Sequence, residues 1–300
     1  MSIRMGTPGA VWRGLACAWL LVAVTGCTGA NQGAFEKVFA GQSRVVDLSH
    51  PIEDGMRAGL DQGACRVQAV QTLESDGMYV NQVVLSEATG TNIEAPARVL
   101  AGSPTVDRLP LRQFMGYGVV IDITEQVADD PGYRLKQSDI EVWESDHGAI
   151  PPEAIVLIRT GWDARWSDTE RYVNRDSSGR PVFPGISAEA VDFLIRERRV
   201  HAVGIDTMSL YLGSGNETGQ RGLLVTGKFH INNLTHLDQL PPRGSVVMAF
   251  PICIAGGSGA PARVLAIIPQ EKTAVEPGKK KVEQGSDAGF DQSRPGAMGY

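Results

Sequence analysis

The densest chemistry in the chain lies in residues 85–99, LSEATGTNIEAPARV. Glu94 brings a carboxylate that can act as a general base if burial raises its pKa, and a carboxylate is a good metal ligand. Arg98 stays protonated, so it cannot accept a proton, but it can stabilise an oxyanion or pair with a carboxylate. Asn92 adds a neutral amide, a weak metal ligand and a good hydrogen-bonding group. Gly90, Thr91 and Pro96 make the segment tight and irregular, and an apolar strand pattern at Val80, Val83, Val84 and Leu85 precedes it. A short polar loop between β-rich segments is a common mount for binding and catalytic groups. Further along, His230 and His236 lie close enough in sequence to Asn232 to join such a site as acid–base groups.

These groups need a scaffold, and the apolar pattern supplies it. Residues 45–52, 67–73, 78–85, 118–123, 155–159, 200–205, 246–254 and 262–268 read as strands, with Ser75-Asp76-Gly77 as a hairpin turn. Two shorter runs, 223–225 and 229–231, flank Gly227. Helices are expected over 137–144, with Ser138 as N-cap and Glu141 completing a capping box, and over 188–198, with Ser187 as N-cap. In the second, Val191, Leu194 and Ile195 form the apolar face. Residues 107–114 and 234–240 read as short helical segments, and 168–182 as a polar surface loop. Residues 256–259 form a turn between two strands, not a phosphate loop, and no Gly-x-Ser-x-Gly elbow is present. Many short strands and few helices in irregular alternation imply an α/β domain built on a curved, barrel-like mixed β-sheet with flanking helices.

The frame Gly90, Thr91, Pro96 resembles the signature of the metal-dependent cyclase family, which includes bacterial kynurenine formamidases and reads His-x-Gly-Thr-His-x-Asp-x-Pro-x-His. Further stretches are similar to family blocks and occur in family order: DLSHPI, LIRTGW, FPGIS, GIDTMS, NLTHLDQLPP and GGSGAPAR. The resemblance implies a cyclase-like swivelling domain over residues 45–269, a homodimer or larger assembly, and a divalent metal site. The chemistry of that site is substituted here. Ala88, Asn92, Glu94 and Arg98 stand where the family has His, His, Asp and His, and Gln220 and Asn232 stand at a further His and a Glu. No His lies between His50 and His147, so no slip of the alignment restores one. One carboxylate with amides does not hold zinc or manganese, so no metal and no other cofactor is expected.

Three readings follow. The first is a small-molecule-binding pseudoenzyme that hydrogen-bonds its ligand through Asn92, Glu94, Arg98, Gln220 and Asn232. The second is a metal-independent hydrolase, cyclase or lyase acting on a small carboxylate, amide or ring substrate, with Glu94, His230 or His236 as catalytic group. The third is a metal hydrolase with His230 or His236 beside Glu94. The polar groups could also merely satisfy one another in a filled cavity.

A net charge of −6 with no basic stripe argues against nucleic acid as a partner. Residues 1–26 carry Arg4 and Arg13, an apolar run at 15–24 too short to span a membrane, and then Val24-Thr25-Gly26-Cys27. This resembles a bacterial lipobox, so Cys27 is expected to be lipidated and to anchor the exported protein at the periplasmic face of the outer membrane through a tether over 27–44. Cys65 and Cys253 fall in apolar strand patterns and are expected as two buried free thiols, although an exported compartment permits a disulfide. Residues 270–300, rich in Gly, Pro, Lys, Glu, Gln and Ser, read as a disordered tail.

Overall fold

Short β-branched runs that are apolar on both faces must be covered on both faces, and here they close into a barrel covered by helices. The computed structural model describes residue 38 and residues 40–58, 62–211 and 218–269; the expected signal segment, Cys27 and the tail lie outside the described residues. The main sheet comprises β1 (Ser43–Asp47), β2 (Asn92–Glu94), β3 (Met115–Asp122), β4 (Ile155–Arg159), β5 (Ala202–Ile205), β6 (Phe229–Asn232), β7 (Arg243–Pro251) and β8 (Gly259–Pro269). From β8 the ring runs through β7, β3, β4, β5, β6 and β2, and β2 pairs back onto β8. β1 extends the sheet by pairing antiparallel with the far half of β8. The β3–β4–β5–β6 run is parallel and the remaining pairings are antiparallel, so the barrel is mixed.

Alternation along the strands divides the side chains into two cores. Ile93, Val120, Leu157, Ile231, Val247 and Ala266 belong to the cluster inside the barrel. Their neighbours Val119, Ile121, Val156, Ile158, Val203 and Ile205 face outward and pack on α1 (Gln137–His147) and α3 (Ala188–Arg196) through Ile140, Trp143, Val191 and Leu194. The buried Trp143 indole donates to the Val120 carbonyl at 2.8 Å, which satisfies its one polar group. Buried Asp206, just after β5, accepts from the Thr160 and Gly161 backbone N–H groups and the Thr160 hydroxyl, so the ends of β4 and β5 are tied together. Gly259 lies opposite Glu94 where the ring closes; a Cβ there would stand 2.5 Å from the Ile93 carbonyl oxygen, so only glycine fits.

Several sequence expectations need correction. Residues 92–94, expected within a loop, form a strand because β6 and β8 offer pairing partners on both sides. α1 begins at Gln137, and Asp139 rather than Glu141 closes its start by accepting from the Lys136 N–H at 2.8 Å; Ser138 lies inside the helix. The polar run 168–182 contains α2 (Thr169–Val173), capped by Asp168, whose single buried aromatic, Tyr172, anchors it. Residues 223–225 end α4 (Thr218–Val225) and are not strand; Gly227, at φ +78°, terminates it. The segment expected as a helix over 234–240 reduces to the 3-10 turn Leu237–Gln239. Arg66–Gln71 and Val80–Val84 pair only with each other, joined by a helical turn at Leu73–Asp76, and both stand clear of the barrel. Both thiols are free, Cys65 buried but Cys253 exposed, because β7 ends at Pro251 before reaching it.

Candidate functional site

Antiparallel pairing of β2 with β6 sets His230 opposite Glu94 and Asn232 opposite Asn92. Directly opposite residues on one face bring their Cβ atoms within about 4.5–5.5 Å. Because Ile93 and Ile231 point into the barrel, the four polar side chains share its outer face. α4 packs on β6 and on the 3-10 turn Pro96–Arg98, which together roof that face. All four are buried, with Glu94 6% and His230 0% exposed.

Glu94 is the hub. His230 Nε2 stands 2.9 Å from its Oε2, and an ionised carboxylate only accepts, so the imidazole donates there. Arg98 Nε lies 3.2 Å from the same oxygen, with the arginine side chain 27% exposed. Asn232 Nδ2 reaches Glu94 Oε1 at 3.5 Å and Asn92 Oδ1 at 3.3 Å. Asn92 does not touch Glu94; its amide donates to the Gly90 carbonyl at 2.8 Å and the Ala88 carbonyl at 3.4 Å. Burial pushes the Glu94 pKa up, but attraction to His230, the hydrogen bond from it, and then the charge of Arg98 outweigh burial and hold it below the usual carboxylate range. Glu94 is therefore an anion at neutral pH, unlike the raised-pKa base that burial alone would make.

Three buried polar atoms beside this hub have no partner among the described residues: His230 Nδ1, Asn232 Oδ1 and Tyr211 Oη. The Tyr211 ring centroid lies 6.3 Å from that of His230. Gln220 is on α4, with its side chain outside the described residues. His236 is not brought to the site: it is exposed, at φ +58°, with Nδ1 2.9 Å from the Asp47 carbonyl. Sequence reasoning named His230 and His236 as alternatives without choosing the one that meets Glu94, and it missed Tyr211 altogether. The signal for His230 was the alternation in Phe229-His230-Ile231-Asn232, polar at every second position of a strand that is otherwise apolar.

The family resemblance implies a divalent metal at this place, and the donors present do not suit one. Ala88 offers no ligand atom, and both Asn92 and Glu94 are already hydrogen-bonded within the cluster. Arg98 adds a fixed positive charge 3.2 Å from Glu94, which opposes a cation. Among the described residues no group of three or more His, Cys, Asp and Glu side chains could hold a metal ion.

Comparison with known proteins agrees on the scaffold. The family model named "Putative cyclase" matches residues 46–210. The isatin hydrolase of Roseibium aggregatum is 30% identical over 221 residues, covering 68% of this chain and 81% of that protein. The kynurenine formamidase of Salinibacter ruber is 26% identical over 194 residues, covering 64% and 81%. The solved structure of isatin hydrolase A from Labrenzia aggregata bound to benzyl benzoate superposes with a TM-score of 0.73 at 31% identity, covering 79% of this chain and 98% of that one.

The geometry ranks the two side chains that hold Glu94. Breaking a wholly buried ion pair costs about 3–5 kcal/mol and a surface pair about 0–1 kcal/mol. Arg98 is partly exposed and His230 remains when it is removed, so Arg98→Ala is expected to lower stability by about 1–3 kcal/mol. His230→Ala removes the nearer, fully buried donor and leaves a cavity, so its loss in urea unfolding is the larger of the two. The reverse order would mean that Glu94 is not held by His230.

Proposed function

This chain belongs to the cyclase family, and from that premise we propose that it uses the family's hydrolase scaffold to bind a small polar molecule at the Glu94 cluster without a metal ion. The supporting observation is the set of three polar atoms without a partner among the described residues, His230 Nδ1, Asn232 Oδ1 and Tyr211 Oη, buried beside the ion-paired Glu94 carboxylate. Each such atom costs about 1–3 kcal/mol if left unsatisfied. A bound molecule offering both donors and acceptors, alone or with ordered water, relieves that cost. Arg98, partly open to solvent, is suited to a carboxylate or carbonyl oxygen of the ligand. The relatives are named for isatin and for the formamide of kynurenine, so a small carboxylate, amide or ring compound is the ligand class carried over here.

One observation favours a second reading, metal-independent hydrolysis. His230 has Nε2 held by Glu94 and Nδ1 without a partner among the described residues, which is how a carboxylate orients an imidazole base. In its neutral form Nδ1 can take a proton from water. The two readings separate on purified protein. Binding alone predicts a small molecule that co-purifies, found by untargeted mass spectrometry and lost in Asn232→Ala, with no turnover of isatin or formylated kynurenine in chelator. Turnover in chelator that His230→Ala abolishes would replace binding with hydrolysis. Neither a bound molecule nor turnover would contradict both.

We further propose that the protein is exported, lipidated at Cys27 and paired with a second copy. The lipobox-like stretch ending at Cys27 supports the first part. The hairpin supports the second: Val70, Tyr79, Val83 and Val84 are each about half exposed or more on a two-stranded arm, and an isolated hairpin is marginal in water. Cys27→Ser is expected to release the protein from membranes as a species sedimenting at twice the protomer mass. Retention on membranes after a high-salt wash would contradict lipidation, and a monomer would contradict pairing.

A further inference from the structure

A cavity of about 440 Å³ opens between the loop around His50 to Met56 and the segment around Trp166 to Arg175. None of Asn92, Glu94, Arg98, His230 or Asn232 lines it. One wall is a flat stack, the His50 imidazole parallel to the Trp166 indole with centroids 3.8 Å apart and planes 9° apart. Tyr172 meets the same indole edge-on at 5.1 Å and 86°. Met56 and Met208 also line the cavity, and thioethers adapt to and favour aromatic rings. Such a lining accepts a planar ring.

Polar groups around the cavity select what the ring carries. Three carboxylates, Glu53, Asp54 and Glu170, line it against one guanidinium, Arg175. Asp54 accepts from the Val67 N–H at 2.8 Å, and Arg175 donates to the Gly179 carbonyl at 2.8 Å. The carboxylates of Glu53 and Glu170 have no ion pair or hydrogen bond among the described residues. Two uncompensated negative charges favour a cation and repel an acid. Burial brings the His50 pKa down to about 4, so the ring is neutral at physiological pH and adds no positive charge.

We propose that this cavity is a second binding site, independent of the Glu94 cluster, for a planar aromatic amine: the ring lies against the His50–Trp166 wall and the ammonium group sits at Glu53 and Glu170. Tryptamine and indole-3-acetate test it, because they share a ring and differ in the sign of the side-chain charge. By calorimetry on the purified protein, tryptamine is expected to bind about tenfold or more tighter than indole-3-acetate. Glu53→Gln with Glu170→Gln, both on the protein surface, is expected to erase that preference, and Trp166→Leu to weaken both probes. No binding of tryptamine, equal affinity for the two probes, or a preference that survives the double glutamine variant would each overturn the proposal. The double variant leaves the aromatic wall in place, so its outcome does not depend on whether Trp166→Leu folds.

Discussion

Burying a carboxylate without a counter-charge costs several kcal/mol, and Glu94 lies 6% exposed in the wall of the barrel. Its neutralisation comes from two directions of the same fold. His230 reaches it across the β2–β6 pairing, and Arg98 reaches it from the 3-10 turn that follows β2. Both contacts depend on register: a slip of one residue would turn Glu94 into the barrel and Ile93 out of it. β2 is only three residues long, yet it closes the barrel between β6 and β8, so the charge cluster and the closure of the fold stand or fall together.

The scaffold is that of a cyclase-family hydrolase, and the chain spans 81% of the isatin hydrolase and of the kynurenine formamidase it matches. On the reading proposed here, what differs is what satisfies the buried carboxylate: in the family a divalent cation is expected to balance acidic ligands, and here a guanidinium charge and an imidazole hydrogen bond from the chain itself take that part. A guanidinium is always charged and brings directional donors, so it can meet a polar ligand but cannot generate a metal-activated hydroxide. The cluster is consequently better suited to recognition, or to imidazole base chemistry, than to Lewis-acid catalysis.

Much of the scaffold was legible in the sequence because long apolar runs and capped helices state themselves locally. Residues 155–159 and the helix capped by Ser187 are read almost without error. Elements that exist only through partners were not legible. β2 is three residues of mixed polarity made a strand by neighbours from far along the chain, and α2 is a polar turn held by one buried tyrosine. At the site, the motif frame located Asn92, Glu94, Arg98 and Asn232, because their positions follow from a pattern. His230 was named beside His236 as a candidate, but which of the two faces Glu94 is a consequence of strand register, and Tyr211 was not singled out at all. The His50–Trp166 wall is likewise a meeting of residues that sequence separation hides.

The central claim is that positive charge from this chain, and not a metal ion, balances Glu94. The direct measurement is the thermal midpoint of the purified protein in zinc, in manganese and in chelator, because any ion that binds the folded state alone must raise that midpoint. The account predicts the same midpoint in all three. A reproducible, concentration-dependent rise with either ion, reversed by chelator and abolished in Glu94→Gln, would contradict it.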